Sequence, residues 1–189
     1  MTLHSSWDAT TDIQETDIQE DDIFVLPTSF AQARLWFLDQ FEPGSPFYNI
    51  PAAVRLIGKL NVVALEQSLN EMVQRHEALR TTFAVEDGQP VQVIRASLTL
   101  NLPIIDLTAL PASDREAEIY ARANEEIQQP FDLTQVPLWR VTLLRLDEAD
   151  HVLLLTMHHI ISDGWSLGVF LREMAVLYEA DAQLRVSTP

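Results

Sequence analysis

Apolar residues fall along this chain in two rhythms, one near 3.6 residues and one of two, and the rhythms interleave. The helical rhythm comes four times. After Phe24-Val25-Leu26-Pro27, where the ordered part is expected to begin, Ala31, Leu35, Leu38 and Phe41 lie on one stripe behind Thr28 or Ser29 as cap. That helix stops before Pro43-Gly44-Ser45-Pro46. Asn61 heads a second helix carrying Leu65, Leu69, Met72 and Val73 on one face. Ser113-Asp114-Arg115-Glu116 has the form of a capping box and opens a third through Ile119, Ala123 and Ile127, ending near Pro130. Trp165 to Tyr178 makes the fourth.

The rhythm of two marks the strands. Ile50 to Leu56 reads as one, with Gly58 as a turn, and Thr81–Val85 with Pro90–Ile94 form a hairpin across Glu86-Asp87-Gly88-Gln89. Leu138–Leu146 and His151–His158 are two more, joined by Asp147-Glu148-Ala149-Asp150. The last, with Val152-Leu153-Leu154-Leu155 in series, is apolar on both faces, which predicts a central place in its sheet. Helices and strands mix without strict alternation. The expected fold is an α/β (α+β) sandwich, a mixed and mostly antiparallel sheet with helices packed on it, without an internal domain boundary.

Composition narrows the class. A chain of 189 residues with 47% hydrophobic residues suits one domain with a real core. The absence of cysteine excludes disulfides, thiolate metal sites and cysteine catalysis. The longest apolar runs are strand-length, too short to span a membrane, and the N-terminus lacks the basic and apolar regions of a secretory signal. A cytoplasmic protein is expected. The net charge of −16 argues against nucleic-acid and anionic-membrane partners.

Much of that charge is local. No Lys or Arg precedes Arg34, whereas Asp8, Asp12, Glu15, Asp17, Glu20, Asp21 and Asp22 crowd the opening stretch. Residues 1–22 are therefore expected to form an acidic disordered leader, and they contain a short tandem repeat, Thr11–Glu15 followed by Thr16–Glu20. The leader reads as a solvated tail or as a docking segment that recruits another polypeptide through Ile13 and Ile18.

The chemistry concentrates in His158-His159-Ile160-Ile161-Ser162-Asp163-Gly164, between the last strand and the last helix. Neighbouring side chains of a strand point to opposite faces, so one imidazole should be available for chemistry and the other packed. The same geometry disfavours a metal, because adjacent strand histidines cannot clasp one ion together. Asp163 fits either a second general base or an anchor paired with Arg75 or Arg80, both at the end of the second helix. Gly164 is a turn glycine.

These residues resemble the signature of condensation domains of nonribosomal peptide synthetases, relatives of chloramphenicol acetyltransferase. Two further stretches carry the likeness in the expected order: Ser29-Phe30-Ala31-Gln32-Ala33-Arg34-Leu35-Trp36-Phe37-Leu38, and Arg75-His76-Glu77-Ala78-Leu79-Arg80-Thr81-Thr82-Phe83. Phe131-Asp132-Leu133 with Pro137-Leu138-Trp139-Arg140 is in the same style, and the likeness runs from about Phe24 to Tyr178. The pattern looks most like the class joining two L-configured units.

The resemblance implies peptide-bond formation between a donor and an acceptor carrier protein, each presenting its substrate on a 4'-phosphopantetheine arm, with no cofactor or metal bound directly. It implies that His159 is the catalytic histidine, taking a proton from the attacking ammonium or orienting the amine. It makes His158, Asp163, Gly164, Arg75 and Arg80 structural support, and gives Gln32, Arg34 and Trp36 a structural role. Members of the family have two similar lobes with the active site between them, and residues 23–189 match only the N-terminal one. A C-terminal lobe is then a required partner, and the leader offers a link to an upstream synthetase protein as a further one. Two alternatives stand beside this: a non-catalytic docking module, and a free-standing oligomeric acyltransferase using a coenzyme A thioester.

Overall fold

The structure, a computed structural model, describes residues 23–186. The expected leader, residues 1–22, lies outside the described residues. A short strand β1 (Ile23–Pro27) leads into helix α1 (Phe30–Phe41), then β2 (Asn49–Ile57), α2 (Val62–Arg75), the hairpin β3 (Thr81–Glu86) and β4 (Gln89–Arg95), β5 (Ile104–Asp106), α3 (Ala112–Gln128), β6 (Trp139–Asp147), β7 (Asp150–His158) and α4 (Gly164–Val186). The strands form two sheets, β1-β4-β3 and β2-β7-β6-β5, antiparallel except where β5 joins β6 in parallel.

The four-stranded sheet is the middle layer of a sandwich. Alternate residues of β6 and β7 point to opposite faces. Trp139, Val141, Leu143, Leu153, Leu155 and Met157 meet Leu65, Leu69, Met72 and Val73 of α2 with Phe170 and Met174 of α4. On the other face, Leu144, Leu146, Val152 and Leu154 meet Ile119 of α3. β7, expected to be central, lies between β2 and β6 with His151 through His158 all buried. The hairpin turns where expected, with Asp87 and Gly88 at φ of 50° and 75°, the left-handed conformation that Asp-Gly turns supply.

Three local readings need correction. The Ser113 capping box is absent: α3 begins at Ala112 behind Pro111, no side chain caps it, and Ser113 Oγ donates to Asp114 Oδ1 at 2.8 Å. Pro111 supplies the fixed φ that launches a helix without a cap, so Ser113 already lies inside the first turn. Only part of the stripe assigned to α1 packs inward: Leu35 lies half-buried against the third apolar cluster and Leu38 is half-buried. Trp36 is the only buried residue of that helix, tilted against Phe83 at 6.4 Å, while Ala31 and Phe41 are exposed. Apolar residues surround α1, so periodicity alone could not choose the inner face. β5 has no counterpart in the sequence pattern, because three residues carry no rhythm. Elsewhere the caps follow the sequence. Ser29 Oγ accepts from the Gln32 N–H at 3.2 Å while Gln32 Oε1 accepts from the Ser29 N–H at 2.8 Å, and Asn61 Oδ1 accepts from the Ala64 N–H at 3.1 Å.

Candidate active site

β7 ends at His158, and the turn through His159, Ile160, Ile161 and Ser162 carries the chain into α4. Two backbone bonds set the strand end: the His158 N–H donates to Leu138 O at 2.9 Å and the His159 N–H donates to Tyr48 O at 2.8 Å. Ile160 then plugs the third apolar cluster, with Trp36, Phe83, Leu133 and Leu138, which roots the turn in the core.

The two histidines have opposite surroundings. His158 is only 3% exposed, with Tyr48 and Phe131 edge-on to its ring at 6.2 and 6.0 Å. Its Nδ1 accepts the Ile160 N–H at 3.1 Å, which makes it a neutral Nε2–H tautomer. Burial, and secondarily the charge of neighbouring His159, push its pKa down to about 4. The Arg140 guanidinium stacks over Phe131 at 3.8 Å and holds that wall in place, itself bonded to Glu126 at 3.1 Å.

His159 is exposed, and its Nδ1 lies 2.8 Å from Ser162 O. A carbonyl only accepts, so Nδ1 carries a proton, and in the neutral ring the lone pair sits on Nε2. That is the arrangement of a base or an amine acceptor whose orientation is fixed in advance.

Asp163 is placed differently from the expected Asp–Arg anchor. Its Oδ1 accepts the backbone N–H of Ser166 at 2.7 Å and the Ser166 hydroxyl at 2.6 Å, so it caps α4. The Ser166 hydroxyl and then its backbone N–H hold the exposed Asp163 carboxyl below its usual pKa. Neither arginine meets it. Arg75 is exposed and pairs with Glu71 at 2.7 Å, one helical turn away. Arg80 is buried and its guanidinium is spent on the carbonyls of Val73, Gln74, Arg95 and Ala96. An arginine whose fork is turned to four carbonyls has no matched pair of donors left for a distant carboxylate.

Of the other residues carried by the resemblance, Gln32 and Trp36 are structural in position. Gln32 bonds Gln92 at 2.8 Å and so ties α1 to β4, Trp36 is buried, Arg34 is exposed, and Gly164, read as a turn glycine, instead opens α4 without a positive φ and with room for a Cβ. Sequence reasoning missed Tyr48, the Ser162 carbonyl and Ser166. Only Ser166 had a readable signal, a serine three residues after Asp163 in a cap position. Among the described residues, no group of three or more His, Asp or Glu is arranged to hold a metal ion.

Against known proteins, the profile of the Condensation domain family matches residues 23–187. The chain belongs to that family. It is 57% identical over 155 residues to one of the linear gramicidin synthase proteins of Brevibacillus parabrevis, covering 82% of this chain and 3% of that protein. The crystal structure of the starter condensation domain of rhizomide synthetase RzmA superposes with a TM-score of 0.75 at 30% identity, covering 88% of this chain and 40% of that one. The complex of the X-domain and OxyB from teicoplanin biosynthesis matches with a TM-score of 0.71 at 34% identity, covering 84% and 33%. The fold is the chloramphenicol acetyltransferase-like one, and this condensation-family chain spans about 40% of the solved condensation domain it matches. No helix among the described residues is long and apolar enough to cross a membrane.

Proposed function

We propose that residues 23–189 are the N-terminal, histidine-bearing lobe of a nonribosomal peptide synthetase condensation domain, and that the completed domain joins two carrier-bound substrates through a peptide bond. The observation that carries this is the exposed His159 ring, held by Ser162 O with Nε2 free. The acceptor amine attacks the donor thioester carbonyl, the C–S bond breaks, and the phosphopantetheine leaves as a thiolate that becomes the thiol with the proton the nitrogen sheds. One proton departs from the attacking nitrogen, and His159 Nε2 takes it or orients the amine that loses it. His158, buried and neutral, and Asp163, capping α4, fix the two ends of the loop that presents this ring. The donor and acceptor carriers and a C-terminal lobe are the partners, residues 1–22 offer an acidic segment to an upstream synthetase protein, and the setting is cytoplasmic.

The test uses the complete domain with His159→Ala. Carrier affinity stays within about twofold while peptide formation falls by roughly 10² or more, the usual worth of a positioned proton-transfer group. Peptide formation at the wild-type rate would remove His159 from the chemistry.

A second reading, a non-catalytic interaction module, is favoured by the likeness to the X-domain solved with OxyB. It predicts partner capture without any peptide product from the wild-type domain.

A further inference from the structure

Beside the His159 loop lies a cavity of about 250 Å³ between α2, β7 and α4. Met72, Leu79, Met157, Val169 and Phe170 line it. Met72, Leu79, Met157 and Phe170 also belong to the main core cluster, so the cavity is a recess in the core that opens outward. Its rim includes Ser162, whose carbonyl holds the His159 ring, and Ser166, which bonds Asp163.

Three polar side-chain atoms of this lining are already committed, those of Ser166, His76 and Ser162. Ser166 Oγ donates to Asp163 at 2.6 Å, His76 Nε2 meets Glu173 Oε2 at 2.7 Å, and Ser162 Oγ bonds Asp163 O at 3.4 Å. An occupant therefore finds mostly hydrocarbon, with the exposed Trp165 indole N–H at the rim as the open donor, which selects against charged or strongly polar side chains deep in the recess. A dry cavity of about 150 Å³ accommodates a benzene ring, so this one has room for a branched or aromatic side chain.

We propose that this recess is the side-chain pocket for an apolar residue of a thioester-bound aminoacyl substrate. The inference rests on the condensation reading above and adds the substrate class. Such a side chain enters beside the loop that fixes the imidazole, so its burial positions the reacting carbonyl or amine relative to His159 Nε2. Donor and acceptor share this chemistry, and the experiment separates them.

The complete condensation domain is offered alanyl and leucyl N-acetylcysteamine thioesters in competition. They serve in one arm as acceptors with a common donor, and in the other as N-acetylated donors with a common acceptor. Val169→Phe fills the recess from α4. Ala78→Phe fills it from the opposite wall at an exposed position, which guards against a folding defect in the first variant. The leucyl-to-alanyl ratio is expected to fall roughly tenfold or more in one arm, the usual worth of a few methylenes in an apolar pocket. That arm identifies the source. A ratio unchanged in both arms, lowered in both, or an equal loss for both substrates overturns the pocket while leaving the condensation reading intact. No peptide from the wild-type domain in either arm overturns the condensation reading itself, and the pocket with it.

Discussion

The Nδ1 of His159 lies 2.8 Å from the carbonyl oxygen of Ser162, three residues further along the same turn. That single contact fixes both the rotation of the ring and its tautomer, and it uses a backbone atom that no side-chain substitution removes. The turn must therefore be held at both ends. Ile160 and His158 root it in the core on one side, and Asp163 caps α4 on the other.

The cap makes a sharp prediction about Asp163. Asparagine caps a helix about as well as aspartate, whereas alanine costs about 1 kcal/mol. Asp163→Asn should keep the urea midpoint close to wild type and Asp163→Ala should lower it, both at constant slope. A buried ion pair with an arginine would make the asparagine variant nearly as damaging as the alanine one, at roughly 3–5 kcal/mol.

The two arginines of the second motif should separate cleanly. Arg75 holds one exposed ion pair on its own helix, so Arg75→Ala should cost no more than about 0.5 kcal/mol. Arg80→Ala strips four carbonyls near the end of α2 and β4 of their donor and should cost about 3 kcal/mol. Arg80→Lys should rescue little, because a single ammonium cannot reproduce the planar fork. Equal losses at positions 75 and 80 in thermal melts would contradict this division.

Buried His158 should make folding sensitive to acid. Its folded pKa of about 4 lies below the unfolded value near 6.5, so the unfolded chain binds the proton more tightly. Stability is fully present above pH 6.5 and is lost as the pH falls towards 4, by up to about 3 kcal/mol in total. His151, buried on the same strand with its pKa lowered chiefly by burial, adds loss in the same direction. Urea denaturation from pH 7.5 to 4.5 should show a shallower decline in His158→Asn than in wild type. Parallel curves would mean that the ring is not buried as a neutral group.

The sequence reveals the site wherever one residue answers to one periodicity. The parity of β7 separates the two histidines, and the face of α2 from Leu65 to Val73 is the face that packs. It fails where several local partners compete. Asp163 stands far along the chain from Arg75 and Arg80 but only three residues from Ser166, and the nearer donors win because they cost little chain entropy to recruit. Arg80 is turned inward to the carbonyls of Val73 and Gln74 on one side and of Arg95 and Ala96 on the other, partners that carry no periodicity to read. α1 carries apolar residues all round, so its inner face is chosen by Phe83 from another element. β5 has no signal of its own, being a short strand that exists through its pairing with Leu143–Arg145.

The proposed role of His159 is tested most directly by single-turnover formation of the peptide bond in the complete domain, comparing wild type with His159→Gln. The account predicts a fall in rate of roughly 10² to 10⁴ without change in stability, because an exposed ring that orients or deprotonates the amine matters to the reaction and little to the fold. A glutamine variant within about threefold of wild type, well short of what proton transfer ordinarily contributes, would contradict it.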